Sequence, residues 1–96
     1  MMKSILNLPL KELPMSFIGR GEVRGFIFNQ IAASDLGYIY HVSANESCNW
    51  YEVFRKKVNV HFATIVYPKA KAFGLSAWTK QSEAEAFDLF FTITGS

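Results

Sequence analysis

One segment of this 96-residue chain carries a strong helical pattern, and it comes last. Between Ser82 and Thr94, the residues Ala84, Phe87, Phe91 and Thr94 recur on one stripe at helical spacing, with Phe90 beside them. Ser82 followed by Glu85 has the capping-box spacing, in which each side chain satisfies the other's free backbone N–H. Glu83 and Glu85 fall at the positive end of the helix dipole, and Gly95 stops the run. This stripe assigns Phe87 and Phe91 to the core. Upstream, the chain alternates with the two-residue period of strands and breaks at turn residues. A single helix can cover only one face of a sheet. The other face needs the N-terminal arm, a second copy or a ligand.

The strands follow in order. Glu22 to Ile31 places Val23, Ile27 and Ile31 on one side and Arg24, Phe26 and Phe28 on the other. Ser34-Asp35-Leu36-Gly37 is turn chemistry, and Tyr38 to Ser43 returns as a hairpin, with Tyr38, Tyr40 and Val42 opposed to Ile39 and His41. Ala44 to Asn49 is a polar connector. Trp50 to Val58 opposes Tyr51, Val53 and Arg55 to Trp50, Glu52, Phe54 and Lys56. Val60 to Tyr67 reads as a fourth strand ended by Pro68, which cannot donate to a ladder. Phe73 to Thr79 reads as a short fifth, with Gly74 marking a bulge or a close approach. The expected architecture is α+β: a four- to five-stranded antiparallel meander with one C-terminal helix packed on one face. One domain spans residues 1–96, with 1–16 an extended arm, 20–80 the sheet and 82–94 the helix. Leu6, Leu8, Leu10 and Leu13 of the arm are expected to lie against the body.

Composition narrows the function classes. Hydrophobic residues make up 50% and charged residues 19%, which excludes a disordered tail. Nine Phe, four Tyr and two Trp exceed what so small a core hides, so some rings are expected at an interface. The lone Cys48 supports no internal disulfide and suits a reducing compartment. The N-terminal apolar run is broken by Asn7 and Pro9 and lacks a cleavage site, so it does not read as a signal peptide. No stretch approaches the ~20 apolar residues of a membrane span. The expected setting is cytoplasmic, with no membrane partner.

The motifs that could carry chemistry fall short of it. Gly19-x-Gly21-x-x-x-Gly25 has the wrong last spacing for a dinucleotide loop and leads into a strand, so these are turn and bulge glycines. His41, His61 and Cys48 lack the paired spacing of a zinc site. No nucleophile elbow or triad is visible, and Glu22, Glu46 and Glu52 read as surface charge. The chain is therefore read as non-catalytic, with no cofactor and no metal.

Basic and aromatic residues gather at the ends of the third to fifth strands. Arg24, Tyr51, Arg55, Tyr67, Lys69, Lys71 and Trp78 form the candidate binding surface. Interfaces favour aromatics and Arg, which points to an interaction module bound to a protein partner or to a second copy. The alternative is nucleic acid stacked on exposed rings beside a positive groove. A net charge of only +2, and the alternation that sends Arg55 and Lys56 to opposite faces, count against a continuous basic stripe.

Gly21-Glu22-Val23-Arg24-Gly25-Phe26, Tyr51-Glu52-Val53-Phe54, Tyr67-Pro68-Lys69 and Phe73-Gly74-x-x-Ala77-Trp78 occur in that order. The set resembles a family of small uncharacterised proteins of gut Bacteroides-type bacteria and their mobile elements. The likeness runs from about Phe17 to the helix. It implies a bacterial or phage cytoplasmic setting, and it transfers no activity, cofactor or catalytic residue.

Overall fold

The computed structural model describes residues Lys11 to Gly95. The placements expected for Leu6, Leu8 and Leu10 lie outside those residues. The main sheet has five antiparallel strands in the spatial order β1 (Ser16–Ile18), β2 (Ile27–Ala33), β3 (Gly37–Asn45), β4 (Cys48–Arg55) and β7 (Ala77–Lys80). Two short strands, β5 (Val58–Asn59) and β6 (Thr64–Ile65), form a separate ribbon in the excursion between β4 and β7. The helix α1 (Glu83–Thr94) is the last of the described elements. This is the α+β arrangement expected, an antiparallel meander with one C-terminal helix on one face.

Local chemistry sets the turns. In the β2–β3 hairpin the Ser34 N–H donates to the Gly37 carbonyl at 2.9 Å, and the Leu36 N–H donates to Ser34 Oγ at 3.1 Å. The β3–β4 turn is held by Asn45, whose Oδ1 accepts from the Ser47 N–H at 2.9 Å. A bulge between Gln30 and Ala32 lets Ile31 drop out of register. β2 begins at Ile27, later than the sequence pattern suggests, because Gly21–Val23 forms a turn of 3₁₀ helix instead of strand. That loop folds back tightly: a Cβ on Gly19 would stand 2.3 Å from the Val23 carbonyl oxygen, so only glycine fits there.

The two sheet faces bury different cores. Phe28, Tyr38, Tyr40, Val42, Phe54 and Ala77 share one face, and Ile39 and Val53 share the other. The alternation read from β3 and β4 is therefore the observed one. Ala86, Phe90 and Ile93 of α1 pack on Ile39 and Val53. The aromatic face is covered from within the chain. Ile65 of β6 joins its core, and Leu13, Tyr67 and Phe73 pack against it. The arm is fastened by the same face: the Tyr38 hydroxyl donates to Glu12 Oε1 at 2.9 Å and the Tyr40 hydroxyl to the Pro14 carbonyl at 2.6 Å. Buried tyrosines find partners in this way because an unpaired hydroxyl is costly.

Three expectations are corrected. The fourth strand expected over 60–67 is reduced to Thr64–Ile65, since a turn from Val60 to Ala63 takes its first half. The fifth strand begins at Ala77, because Gly74 (φ 94°) makes a turn whose N–H reaches the Ala77 carbonyl at 2.7 Å. The helix is rotated relative to the expected stripe. Its buried residues are Ala86, Phe90, Ile93 and Thr94, whereas Phe91 is 46% exposed and Phe87 only partly buried. Two adjacent helical stripes are both apolar, and Phe90 with Ile93 fits between the β3 and β4 side chains. The caps stand where expected, with one half of the box altered. Ser82 Oγ accepts from the Glu85 N–H at 3.2 Å, whereas the Glu85 carboxylate accepts from the Ser82 hydroxyl at 3.1 Å and not from its backbone N–H. Gly95, at φ 74°, closes the C-terminus.

Phe90→Ala is accordingly expected to cost about 3–5 kcal/mol, and Phe91→Ala less than about 1 kcal/mol, the range of surface changes. Urea unfolding of both variants checks this. Equal losses would contradict the observed rotation of α1.

Candidate binding cleft

The described residues cover only part of the aromatic face. Between the 3₁₀ turn at Gly21–Val23 and the segment from Tyr67 to Phe73 lies an open cleft of about 1070 Å³. Five rings line it, Phe17, Phe28, Trp50, Tyr67 and Phe73, beside aliphatic groups such as Leu13 and Val23. Phe17 and Phe28 stack at 4.6 Å with an interplanar angle of 7°. Tyr67 packs against both, edge-on, at 5.6 and 5.4 Å. A concave, ring-lined site with a few convergent polar groups is the usual form of a ligand site.

The polar group here is Glu52. β4 presents Trp50, Glu52 and Phe54 to this face, and the register sets Glu52 between Tyr40 on β3 and Thr79 on β7. The Trp50 indole N–H donates to Glu52 Oε2 at 2.9 Å, and the Tyr67 hydroxyl donates to Oε1 at 2.6 Å. Both donors are neutral. Among the described residues the ion pair formed is Lys56 with Glu12 at 3.8 Å, and Glu52 closes none. The carboxylate is thus oriented by two hydrogen bonds, and its charge is uncompensated among the described residues. Arg20, Glu22 and Lys69 also border the cleft and are exposed.

Burial pushes the Tyr67 phenol well above its ordinary value of 10.0, and the negative charge of Glu52, with the hydrogen bond to it, pushes the same way. Burial likewise raises Tyr38 and Tyr40. Tyr67 therefore stays protonated and remains a donor to Glu52 across the physiological range.

The seven residues named from sequence divide among three places. Arg55, Tyr67, Lys69 and Lys71 are brought together around a second, smaller hollow of about 710 Å³, which Lys57 also lines. Tyr51 and Trp78 lie on the opposite face of the sheet, packed against the core under α1. Arg24 follows the 3₁₀ turn and is exposed, lining neither hollow. The single surface expected from sequence thus splits, because alternation along β4 and β7 turns Tyr51 and Trp78 toward the helix. Arg55 is itself engaged on the helix side: it donates to the Ile93 carbonyl at 3.1 Å and its guanidinium lies 5.9 Å from the Trp78 ring centroid.

His41 bonds to Asn49 at 3.2 Å and its ring lies 5.0 Å from that of Tyr51. Among the described residues no three His, Cys, Asp or Glu side chains converge as a metal site would require, and no helix is long and apolar enough to cross a membrane. No protein-family model, curated protein or solved structure matches this chain.

Sequence reasoning passed over Glu52, Trp50 and Phe73. The signal was present in Trp50-x-Glu52-x-Phe54, where one carboxylate interrupts an aromatic strand face. Its partner Tyr67 lies 15 residues away, and that contact depends on how the excursion folds.

A phenol held more tightly in the folded than in the unfolded state contributes stability that is full below pH 10 and lost as pH rises. Folding stability is expected to fall as pH rises above about 10, and to fall less steeply in Tyr67→Phe. Urea unfolding across that range measures it. A flat wild-type profile would contradict the buried, Glu52-bonded phenol.

Proposed function

We propose that this protein is a non-catalytic interaction module that seats a segment of a protein partner in the cleft over Glu52. One observation carries the reading. A fixed carboxylate, whose charge no described residue pairs, stands in an open, ring-lined cleft, which is the form of a recognition site. The carboxylate is positioned by Trp50 and Tyr67, and neither histidine nor the free Cys48 lines the cleft. The unpaired Cys48 suits work in a reducing compartment such as the bacterial cytoplasm. The partner can be another protein or a second copy of this chain. Exposed Ile27, on the part of the helix-side face that α1 leaves open, and exposed Ile18, which borders the cleft, offer apolar surface for a second copy.

A second reading has its own support. Arg55, Lys57, Lys69 and Lys71 surround the smaller hollow with no acidic residue among its lining, and Tyr67 borders it. That is the charge pattern by which a phosphate backbone is attracted, so nucleic-acid binding is proposed there as the alternative.

Ala70 is exposed on the border of the cleft, and Ala70→Arg fills the cleft without removing core contacts. Retention of bound proteins by immobilised wild type, Ala70→Arg and the double variant Lys57→Glu with Lys71→Glu separates the two readings. Ala70→Arg is expected to lose at least about ten-fold in partner retention, equivalent to about 1.4 kcal/mol, with the double variant unchanged. If only the double variant changes, and oligonucleotide binding by fluorescence anisotropy falls steeply with salt, the alternative replaces the cleft reading. Sedimentation of wild type and Ala70→Arg tells a second copy seated in the cleft from another protein.

A further inference from the structure

Resting on the cleft reading above, we propose that the partner segment places a cationic side chain, a lysine ammonium or an arginine guanidinium, against the Glu52 carboxylate. Charge complementarity is the first argument. A carboxylate has about four acceptor positions, and Trp50 and Tyr67 occupy one on each oxygen. The remaining positions lie on a part-buried group whose charge no described residue balances. A part-buried charge is stabilised by a paired donor, and a charged donor makes the stronger bond.

The walls suit the same occupant. A cation over ring faces is attracted by their quadrupoles, and Trp is the best of these rings. The methylene stem of Lys or Arg packs on apolar surface while its head reaches the acceptor. Phe17, Phe28, Trp50, Tyr67 and Phe73 supply that surface. An anionic group would be repelled by the carboxylate, and a further neutral donor could bond it without balancing its charge.

The cations already on the border do not fill this role. Arg20 and Lys69 are exposed, and neither closes an ion pair with Glu52. Their charges stand in water, where salt screens them over about 10 Å, and Glu22 stands exposed on the same border. The size of the cleft favours a chain segment over a free amine. About 1070 Å³, open along the sheet face, leaves room for residues flanking the one that reaches Glu52.

The test uses the full chain and three capped tripeptides of glycine, X and glycine, with X lysine, norleucine or glutamate. Norleucine keeps the stem and removes the charge. The readout is the Trp50 indole N–H resonance, assigned with Trp78→Phe, because that proton is bonded to Glu52. The lysine peptide is expected to shift it saturably, about ten-fold more tightly than norleucine, as a charge-assisted bond implies, with no shift from glutamate. Glu52→Gln is expected to level lysine and norleucine, and the wild-type comparison decides the matter even if that variant does not fold. Norleucine binding as tightly as lysine overturns the cationic occupant and leaves the cleft reading standing. No shift of any cleft resonance with any peptide overturns both. Butylammonium binding as tightly as the lysine peptide overturns the partner segment, because recognition then lies in the free amine alone.

Discussion

The hydrogen bond from Tyr67 to Glu52 is the interaction on which the aromatic side of this molecule depends. At 2.6 Å it joins the segment between β4 and β7 to the middle of β4. The Tyr67 ring meets Phe17, Phe28, Tyr40 and Phe54 at centroid distances of 5.6, 5.4, 5.1 and 4.7 Å. One side chain thus connects β1, β2, β3 and β4 to the excursion that covers them. Aromatic pairs of this kind add about 0.5–1.5 kcal/mol each beyond the area they bury. The same bond orients the carboxylate in the cleft. Stability and the proposed recognition share a residue.

The sheet is asymmetric in how its faces are closed. The helix side is conventional: α1 lays Ala86, Phe90 and Ile93 on Ile39 and Val53, and Arg55 reaches the carbonyl of Ile93 near the helix end. A cation there complements the negative end of the helix dipole. The aromatic side is closed by irregular chain. Tyrosines fasten it to the sheet: Tyr38 and Tyr40 of β3 donate to Glu12 and to the Pro14 carbonyl, and Tyr67 of the covering chain donates to Glu52. Irregular cover also leaves gaps. The cleft is the gap between the Gly19–Gly25 loop and the Tyr67–Phe73 segment.

What was legible in the sequence follows from the range of the interactions. Local signals read well: Ser82 and Gly95 as caps, Ser34 to Gly37 as a hairpin turn, and the opposed faces of Tyr38-Ile39-Tyr40 and Val53-Phe54. Ser16–Ile18 gave no strand signal because its pairing with Ile27–Asn29 supplies what three residues cannot. The face of α1 was misassigned between Phe90 and Phe91, since two apolar stripes adjoin and only packing against β3 and β4 chooses between them. The candidate site was read in pieces. Tyr67 and Lys69 do border the cleft, but Glu52 looked like an ordinary surface acid until Trp50 and Tyr67 were seen to hold it. Basic residues near one another in sequence were sent to different faces by the period of two.

The most direct test is a double-mutant cycle between Tyr67→Phe and Glu52→Ala, read by urea unfolding at neutral pH. A part-buried, charge-assisted hydrogen bond predicts a coupling of at least about 1 kcal/mol between the two sites. Additive losses within about 0.3–0.5 kcal/mol would mean that Tyr67 and Glu52 act independently, contradicting the arrangement that holds both the aromatic cover and the cleft.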